Sequence, residues 1–360
     1  MQSFSIGLIP GDGIGREVTP AAFSVAATAA AQSGVNLQPT TYDWGSEYCL
    51  QHGRMMPVDA IDLLRRHHAI FLGAVGHPAI EDHITLNGLL LPIRRSFDQF
   101  ANVRPAILYE GVSSPLKALQ PGDVDLVVVR ENTEGEYAPV GGFVHQPHPH
   151  EIAVQSGVFT RKGIERITRF AFELARRRNG KRKVTSVTKS NAQAFGMVLW
   201  DRVFQGVASE YSDIETESLL VDAASMNFVR RPQSFDVVVA SNLFGDILSD
   251  ISAIVTGSIG LAASANLDPT RKYPSMFEPV HGSAPDIAGE GIANPLASIF
   301  SAGMMLDHLG VSDAAQRVDH AARTVLAEGR IRTPDLGGTN TTEEVVTAVM
   351  SKVTGISIGA

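Results

Sequence analysis

Cysteine is nearly absent from the chain: Cys49 stands alone, so no disulfide can form within it, and that scarcity suits a reducing compartment. No apolar run approaches the ~20 residues that cross a bilayer, and the first five residues lack the basic segment and long apolar core of an export signal. A cytoplasmic location is the expectation. Positive charge is also in short supply. Thirty lysines and arginines face 38 aspartates and glutamates, a formal net charge of -8. That balance argues against nucleic acid or an anionic membrane as the main partner, though a local basic pocket could still hold a small anion. No internal repeat or low-complexity linker interrupts the 360 residues, and a 44% apolar, 19% charged composition excludes disordered and collagen-like classes. The length suffices for two packed lobes.

Strand-like apolar runs at residues 4–9, 69–74, 124–129, 183–187 and 235–240 each precede helical patterning, which predicts an α/β protein with a largely parallel sheet. Val237, Val238 and Val239 follow one another without a polar break, as in a strand covered on both faces. Residues 141–160, GGFVHQPHPHEIAVQSGVFT, depart from this rhythm. Their glycines, prolines and short alternation predict a protruding hairpin, an arm suited to pair with its copy in a second subunit.

Residues 9–17, IPGDGIGRE, form a glycine-rich turn between strand and helix. A dinucleotide fingerprint is rejected, because Arg16 stands where a further glycine is needed and no acidic residue ends a second strand about twenty positions on. A tight turn requiring glycine dihedrals explains it. In NLFGDILSD, Asp246 and Asp250 lie four apart and would share a helix face able to grip one cation. Without a cation they would repel, although a dipole-stabilised acid beside a solvated Asp250 stays open on this feature alone. Arg94, Arg104 and Arg130 each stand where an apolar segment meets a loop. Three guanidinium forks suit a ligand with two carboxylates, whereas any one of them alone reads as a structural ion pair. Tyr137 and Lys189, held near cations, could move protons near neutral pH. Residues 277–286, FEPVHGSAPD, continuing to Asn294, are too polar and glycine-rich for core. There Asp286 could accept from a ribose diol and repel a 2′-phosphate, which favours NAD over NADP. His145, His148 and His150 alternate with prolines and read as a solvated turn. RRRNGKRK at 176–183 reads as a cationic helix C-terminus before a glycine stop.

Taken together, GDGIGREV, RPA at 104–106, VVRENTEGEY, TKSN, NLFGDILSD and EPVHGSAPDIAGEGIANP stand in the order found in the β-decarboxylating dehydrogenases. That family comprises 3-isopropylmalate, isocitrate, homoisocitrate, tartrate and D-malate dehydrogenases, and the chain resembles it over almost its whole length. The resemblance implies an isopropylmalate/isocitrate dehydrogenase-like open α/β sheet in two lobes, unlike the standard Rossmann fold. Residues 1–102 with 255–360 would form an NAD-binding lobe, and 103–254 a substrate, metal and dimerisation lobe carrying the arm. Arg94, Arg104 and Arg130 resemble the substrate-carboxylate clamp, Tyr137 the acid that protonates the enolate, and Lys189 the base at the substrate hydroxyl. Asp222, Asp246 and Asp250 resemble the ligands of Mg²⁺ or Mn²⁺, with Lys189 and Asp222 reaching in from the second subunit of a homodimer. His281, Gly282, Ser283, Ala284, Asp286 and Asn294 resemble the NAD-binding loop. K⁺ is a candidate activator.

The segment EDHITLNGLLLPIRR resembles the tartrate and D-malate branch, with Asn87 and Leu90 as substrate-facing positions. The expected reaction is NAD-dependent oxidation of a 2-hydroxy dicarboxylate with loss of CO₂. Leu89, Leu90 and Leu91 keep 3-isopropylmalate as the alternative. A catalytically silent regulatory subunit is a rival of another class, disfavoured because every charged position above is present, and nucleic-acid binding through RRRNGKRK is a third.

Overall fold

The computed structural model describes residues 2–355. In chain order the strands are β1 (Gln2–Gly11), β2 (Val35–Thr41), β3 (Ala69–Ala74), β4 (Ala101–Ile107), β5 (Asp125–Glu131), β6 (Gly141–Val144), β7 (Ile152–Gln155), β8 (Lys183–Thr188), β9 (Glu215–Leu220), β10 (Val237–Ala240), β11 (Ala263–Leu267) and β12 (Ser275–Pro279). Two compact units emerge. The first joins Met1–Gln99, Arg104–Val124 and Ala253–Ala360, and the second joins Phe100–Val103 with Asp125–Ser252. Residues 104–124, expected with the middle of the chain, fall in the first unit for a physical reason. Arg332 donates to Gly111 O at 2.8 Å and Ser114 Oγ to Val255 O at 2.7 Å, which ties that excursion to the C-terminal part.

In the first unit the order β2-β1-β3-β12 is parallel, and β11 runs antiparallel to β12. Every residue of β3, AIFLGA, is buried, so its uninterrupted apolar run is what a strand covered on both faces requires. Helices Gly15–Gln32 and Leu296–His308 pack against it, and Ser312–Glu328 and Thr342–Thr354 pack on those helices. The last begins with a full capping box, in which Thr341 accepts from Glu344 N and the Glu344 side chain reaches back. Gly11 and Gly13 adopt φ of +71° and +50°, the turn geometry expected of GDGIG. A Cβ on Gly13 would lie 2.0 Å from Ser283 O, so only glycine lets this turn meet residue 283. Asp12 locks the turn by accepting from Ser46 N, Ser46 Oγ and Gly76 N at 2.7, 2.6 and 2.9 Å.

In the second unit the order β5-β10-β8-β9 is wholly parallel. All four residues of β10 are 0% exposed, as the valine run demanded. Helix Arg161–Arg178 is capped by Thr160 and ends at Asn179, whose φ of +49° makes it, and not Gly180, the left-handed stop. Most cations of RRRNGKRK are committed: Arg176 to Asp213, Arg178 to Asp125 and Asp236, Lys181 to the Phe235 carbonyl and Lys183 to Glu217. Strands β6 and β7 form the hairpin at 141–155, where Phe143, Val144, Ile152 and Val154 are all exposed. Among the described residues no helix is long and apolar enough to cross a membrane.

Candidate active site

Arg130 sits at the end of β5, and burial of that strand on both faces leaves its guanidinium without water: it is 1% exposed. Neighbouring acceptors answer the charge. Its Nε and Nη2 donate to Asn242 Oδ1 at 2.9 and 2.7 Å, and Nη1 makes a close ion pair with Asp246 Oδ1. Tyr137 donates its hydroxyl to the other Asp246 oxygen at 2.7 Å, and the Arg130 guanidinium lies 5.2 Å from the tyrosine ring centroid. One carboxylate is thus shared by a guanidinium and a phenol. Both Asn242 and Asp246 belong to the first turns of helix Asn242–Val255, which follows β10. That helix can approach β5 because residue 245 is glycine, where a Cβ would lie 2.6 Å from Arg130 Cβ. Glu136 fastens the helix start by accepting from Ser241 Oγ at 2.8 Å and Leu243 N at 3.2 Å, which places an acid at the positive end of the dipole. Asp250 lies one turn beyond Asp246 and is exposed.

Lys189, just past β8, and Asp222, the second residue of helix Val221–Arg230, form a separate pair at 2.6 Å. The lysine hydrogen bond holds the Asp222 carboxyl below its ordinary range. Among the described residues no three His, Cys, Asp or Glu side chains gather closely enough to hold a metal ion. Asp222 therefore does not complete a set with Asp246 and Asp250 inside one chain. The oxygen donors of Asp246 and Asp250, one turn apart on a helix, suit half of a site for a hard divalent cation.

In the first unit Arg94 lies on helix Leu91–Ser96. It is buried and donates through Nη2 to Glu278 Oε1 at 2.6 Å, an oxygen that also accepts from Asn266 at 2.8 Å. Its Nε is buried without a partner. Arg104 is buried on β4. Leu90 joins Leu89 in the core cluster with Ile9, Trp44 and Met55, so it packs the interior, while Asn87 is exposed and donates to His83 O at 2.8 Å. Both lie in a single π-helical turn, Leu86–Leu90, a local distortion that recurs at functional sites.

Residues 281–294 lie against the glycine turn. Ile14 N donates to Ser283 O at 2.9 Å, Glu17 accepts from Gly289 N at 2.6 Å, and Ala284, Ile287 and Ala288 pack on Ile14 and Val18. His281 is buried with Nε2 unpartnered, and burial pushes its pKa down, so it offers a neutral imidazole edge. Ala284 has φ of +40°, costly for a residue with a Cβ. Gly282 has nothing within 4 Å of where a Cβ would stand, and Asp286 is exposed. An orphaned buried nitrogen beside an open backbone turn fits a ligand with its own hydrogen-bonding groups, as a dinucleotide has. Asn294 is less available: Oδ1 accepts from Leu296 N and Nδ2 donates to Asp335.

The family model described as isocitrate/isopropylmalate dehydrogenase matches residues 5–350. The chain belongs to that family. It is 52% identical over 98% of its length to the probable tartrate dehydrogenase/decarboxylase of Bacillus subtilis (strain 168), covering 99% of that protein. To the D-malate dehydrogenase [decarboxylating] of Escherichia coli (strain K12) it is 49% identical, over 97% of this chain and 98% of the other. The crystal structure of isocitrate dehydrogenase from Methylococcus capsulatus superposes with a TM-score of 0.88 at 41% identity, covering 98% and 99% of the two chains. The isocitrate/isopropylmalate dehydrogenase family consists of decarboxylating dehydrogenases, so the chain is an oxidoreductase with the fold that its motifs implied.

Four residues of this family member escaped the sequence reading: Asn242, Glu136, Glu278 and Glu131. Asn242 was legible as the polar residue between a buried strand and a helix, the usual place of a cap. Glu131 follows Arg130 and is 2% exposed; it accepts from Glu134 N at 2.8 Å and Thr133 Oγ1 at 2.7 Å. Burial nevertheless dominates and pushes its carboxyl up to about 7. The folded state then holds a proton that the unfolded chain releases earlier as pH rises. Stability should fall between about pH 4.5 and 7 by on the order of 2–3 kcal/mol and level off above. Urea denaturation of wild type and Glu131→Gln at pH 5 and pH 8 measures this. The variant should match wild type at the lower pH and exceed it at the higher, and a pH-independent difference between the two proteins would rule the assignment out.

Proposed function

We propose that this chain catalyses the NAD-dependent, metal-assisted oxidation and decarboxylation of a small 2-hydroxy dicarboxylate, with D-malate and tartrate ahead of 3-isopropylmalate. The observation that carries the reading is the Asp246 carboxylate held between Arg130 and Tyr137, one helical turn from Asp250. A dianionic substrate gives Arg130 a second partner in competition with Asp246, since its guanidinium is the buried cation at that point. Arg94 and Arg104 are assigned to the same substrate by the family pattern, with Glu278 fixing the orientation of Arg94. Lewis acidity toward the hydroxyl and carboxylate oxygens is the chemistry that Mg²⁺ or Mn²⁺ supplies when held by Asp246 and Asp250 with Asp222 of the partner subunit. NAD, bound by His281 and the backbone that follows it, supplies the hydride acceptor.

The chain's own groups then divide the proton work. Lys189 Nζ takes the hydroxyl proton as the C2 hydride departs. Tyr137 Oη, already oriented by Asp246, donates a proton to the carbon that has lost CO₂. Exposed apolar side chains support a homodimer through which Lys189 and Asp222 are exchanged. Met226 and Val229 are exposed on helix Val221–Arg230, Ile247 and Ile254 seven apart on helix Asn242–Val255, and the hairpin carries four more. D-malate and tartrate are favoured by the relatives' names, and by Leu89 and Leu90 being spent on the core instead of an isopropyl pocket.

Steady-state NADH formation with Mn²⁺ should give a kcat/KM for D-malate or a tartrate isomer at least about tenfold above that for 3-isopropylmalate. The reverse order contradicts the substrate assignment, and no turnover with any of them contradicts the reaction. Asp286→Lys should shift the NAD/NADP ratio of kcat/KM toward NADP by about tenfold or more, through loss of an exposed carboxylate that repels a 2′-phosphate. An unaltered ratio removes Asp286 from cofactor selection.

A further inference from the structure

At the amino ends of β1, β3 and β12 the first unit holds a recess of about 290 Å³. The 281–294 loop, by contrast, follows the carboxyl end of β12. Arg65, Arg271 and Lys272 line the recess together with His68, Tyr273 and His308.

The cations there are not spent on carboxylates. Arg65 has only a distant contact with Asp62, 3.9 Å, and among the described residues no carboxylate pairs with Arg271 or Lys272. Asp268, the acid nearest in sequence, is buried and otherwise engaged. One of its oxygens accepts from Thr270 N and Oγ1, the other from Lys272 N and Tyr273 N. Asp268 thereby fixes the backbone that presents Arg271 and Lys272 without neutralising either. Arg271 adopts φ of +58°, a left-handed conformation that a residue with a Cβ takes only where its surroundings hold it. Tyr273 lies between two cations, its ring centroid 5.1 Å from the Arg65 guanidinium and 5.1 Å from Lys272 Nζ. Arg65 also lies 5.5 Å from the Phe97 ring centroid, so ring faces hold these cations without neutralising them. Burial chiefly, with the Arg271 charge adding to it and Asp268 and Asp307 opposing it, pushes His308 down to about 4, so the recess holds a neutral imidazole beside Arg271. A helix C-terminus at His308 favours one nearby cation through its dipole, but that does not call for three.

We propose that this recess binds a compact, multiply charged oxyanion, a phosphate ester or a polycarboxylate, through Arg65, Arg271 and Lys272. Two guanidinium forks and a lysine around a hollow of this size suit an anion with oxygens on more than one face.

Calorimetric titration of the full chain with inorganic pyrophosphate, and separately with citrate, at about 150 mM salt tests the site. NAD is kept saturating so that its own phosphate contacts are occupied. Millimolar or tighter binding of one anion per chain is expected. It should weaken at least about tenfold in the Arg271→Ala/Lys272→Ala double variant, whose side chains are exposed and leave no buried partner behind. Preference for pyrophosphate assigns a phosphate-bearing ligand, and preference for citrate a polycarboxylate. No heat with either anion up to about 10 mM, or undiminished binding by the double variant, overturns the proposal.

Discussion

A buried guanidinium at the end of a central strand must find negative charge, and the chemistry of the second unit is organised around how it does so. Arg130 finds Asn242 and Asp246 on a helix that can come close only because Gly245 presents no Cβ. Glu136 holds the start of that helix, and Tyr137 takes the remaining Asp246 oxygen. Each partner is satisfied by the others, so the carboxylate is held in place before any ligand arrives. Such preorganisation is what an active site needs from its scaffold. A buried pair also carries risk: deleting one member leaves the other desolvated and uncompensated, a loss of about 3–5 kcal/mol in comparable cases.

The first unit solves a different problem with similar means. Its glycine-rich turn is tied into its own surroundings by hydrogen bonds. Ile14 N is given to Ser283 O, and Asp12 is given to Ser46 and Gly76, so the turn serves as a rigid backing for residues 281–294. What that loop leaves unpaired is the His281 edge, while Asn294 is divided between capping a helix and binding Asp335. Arg94 is steadied by Glu278 much as Arg130 is by Asn242.

The strands were legible because their apolar runs are continuous, and β3 occupies residues 69–74 as read. Motif order carried the family as well. The sharing of residues 104–124 was less readable, since it depends on long-range bonds such as Arg332 to Gly111 that leave no local pattern. Leu90 illustrates another limit. An apolar residue before an arginine reads equally as pocket wall or core, and only packing against Trp44 and Met55 decides it. Glu131 and Glu278 were passed over because an acid in a strand is ordinarily solvated, and nothing in the sequence marks these two as buried.

The role given to Asp246 admits a direct measurement: Mn²⁺ affinity by calorimetry alongside metal-dependent NADH formation in Asp246→Asn. Loss of a ligand that also orients Tyr137 should weaken Mn²⁺ binding by at least about tenfold and lower kcat by about a thousandfold or more. A variant that binds Mn²⁺ as wild type does and turns over within about threefold of it would contradict the role assigned to this carboxylate.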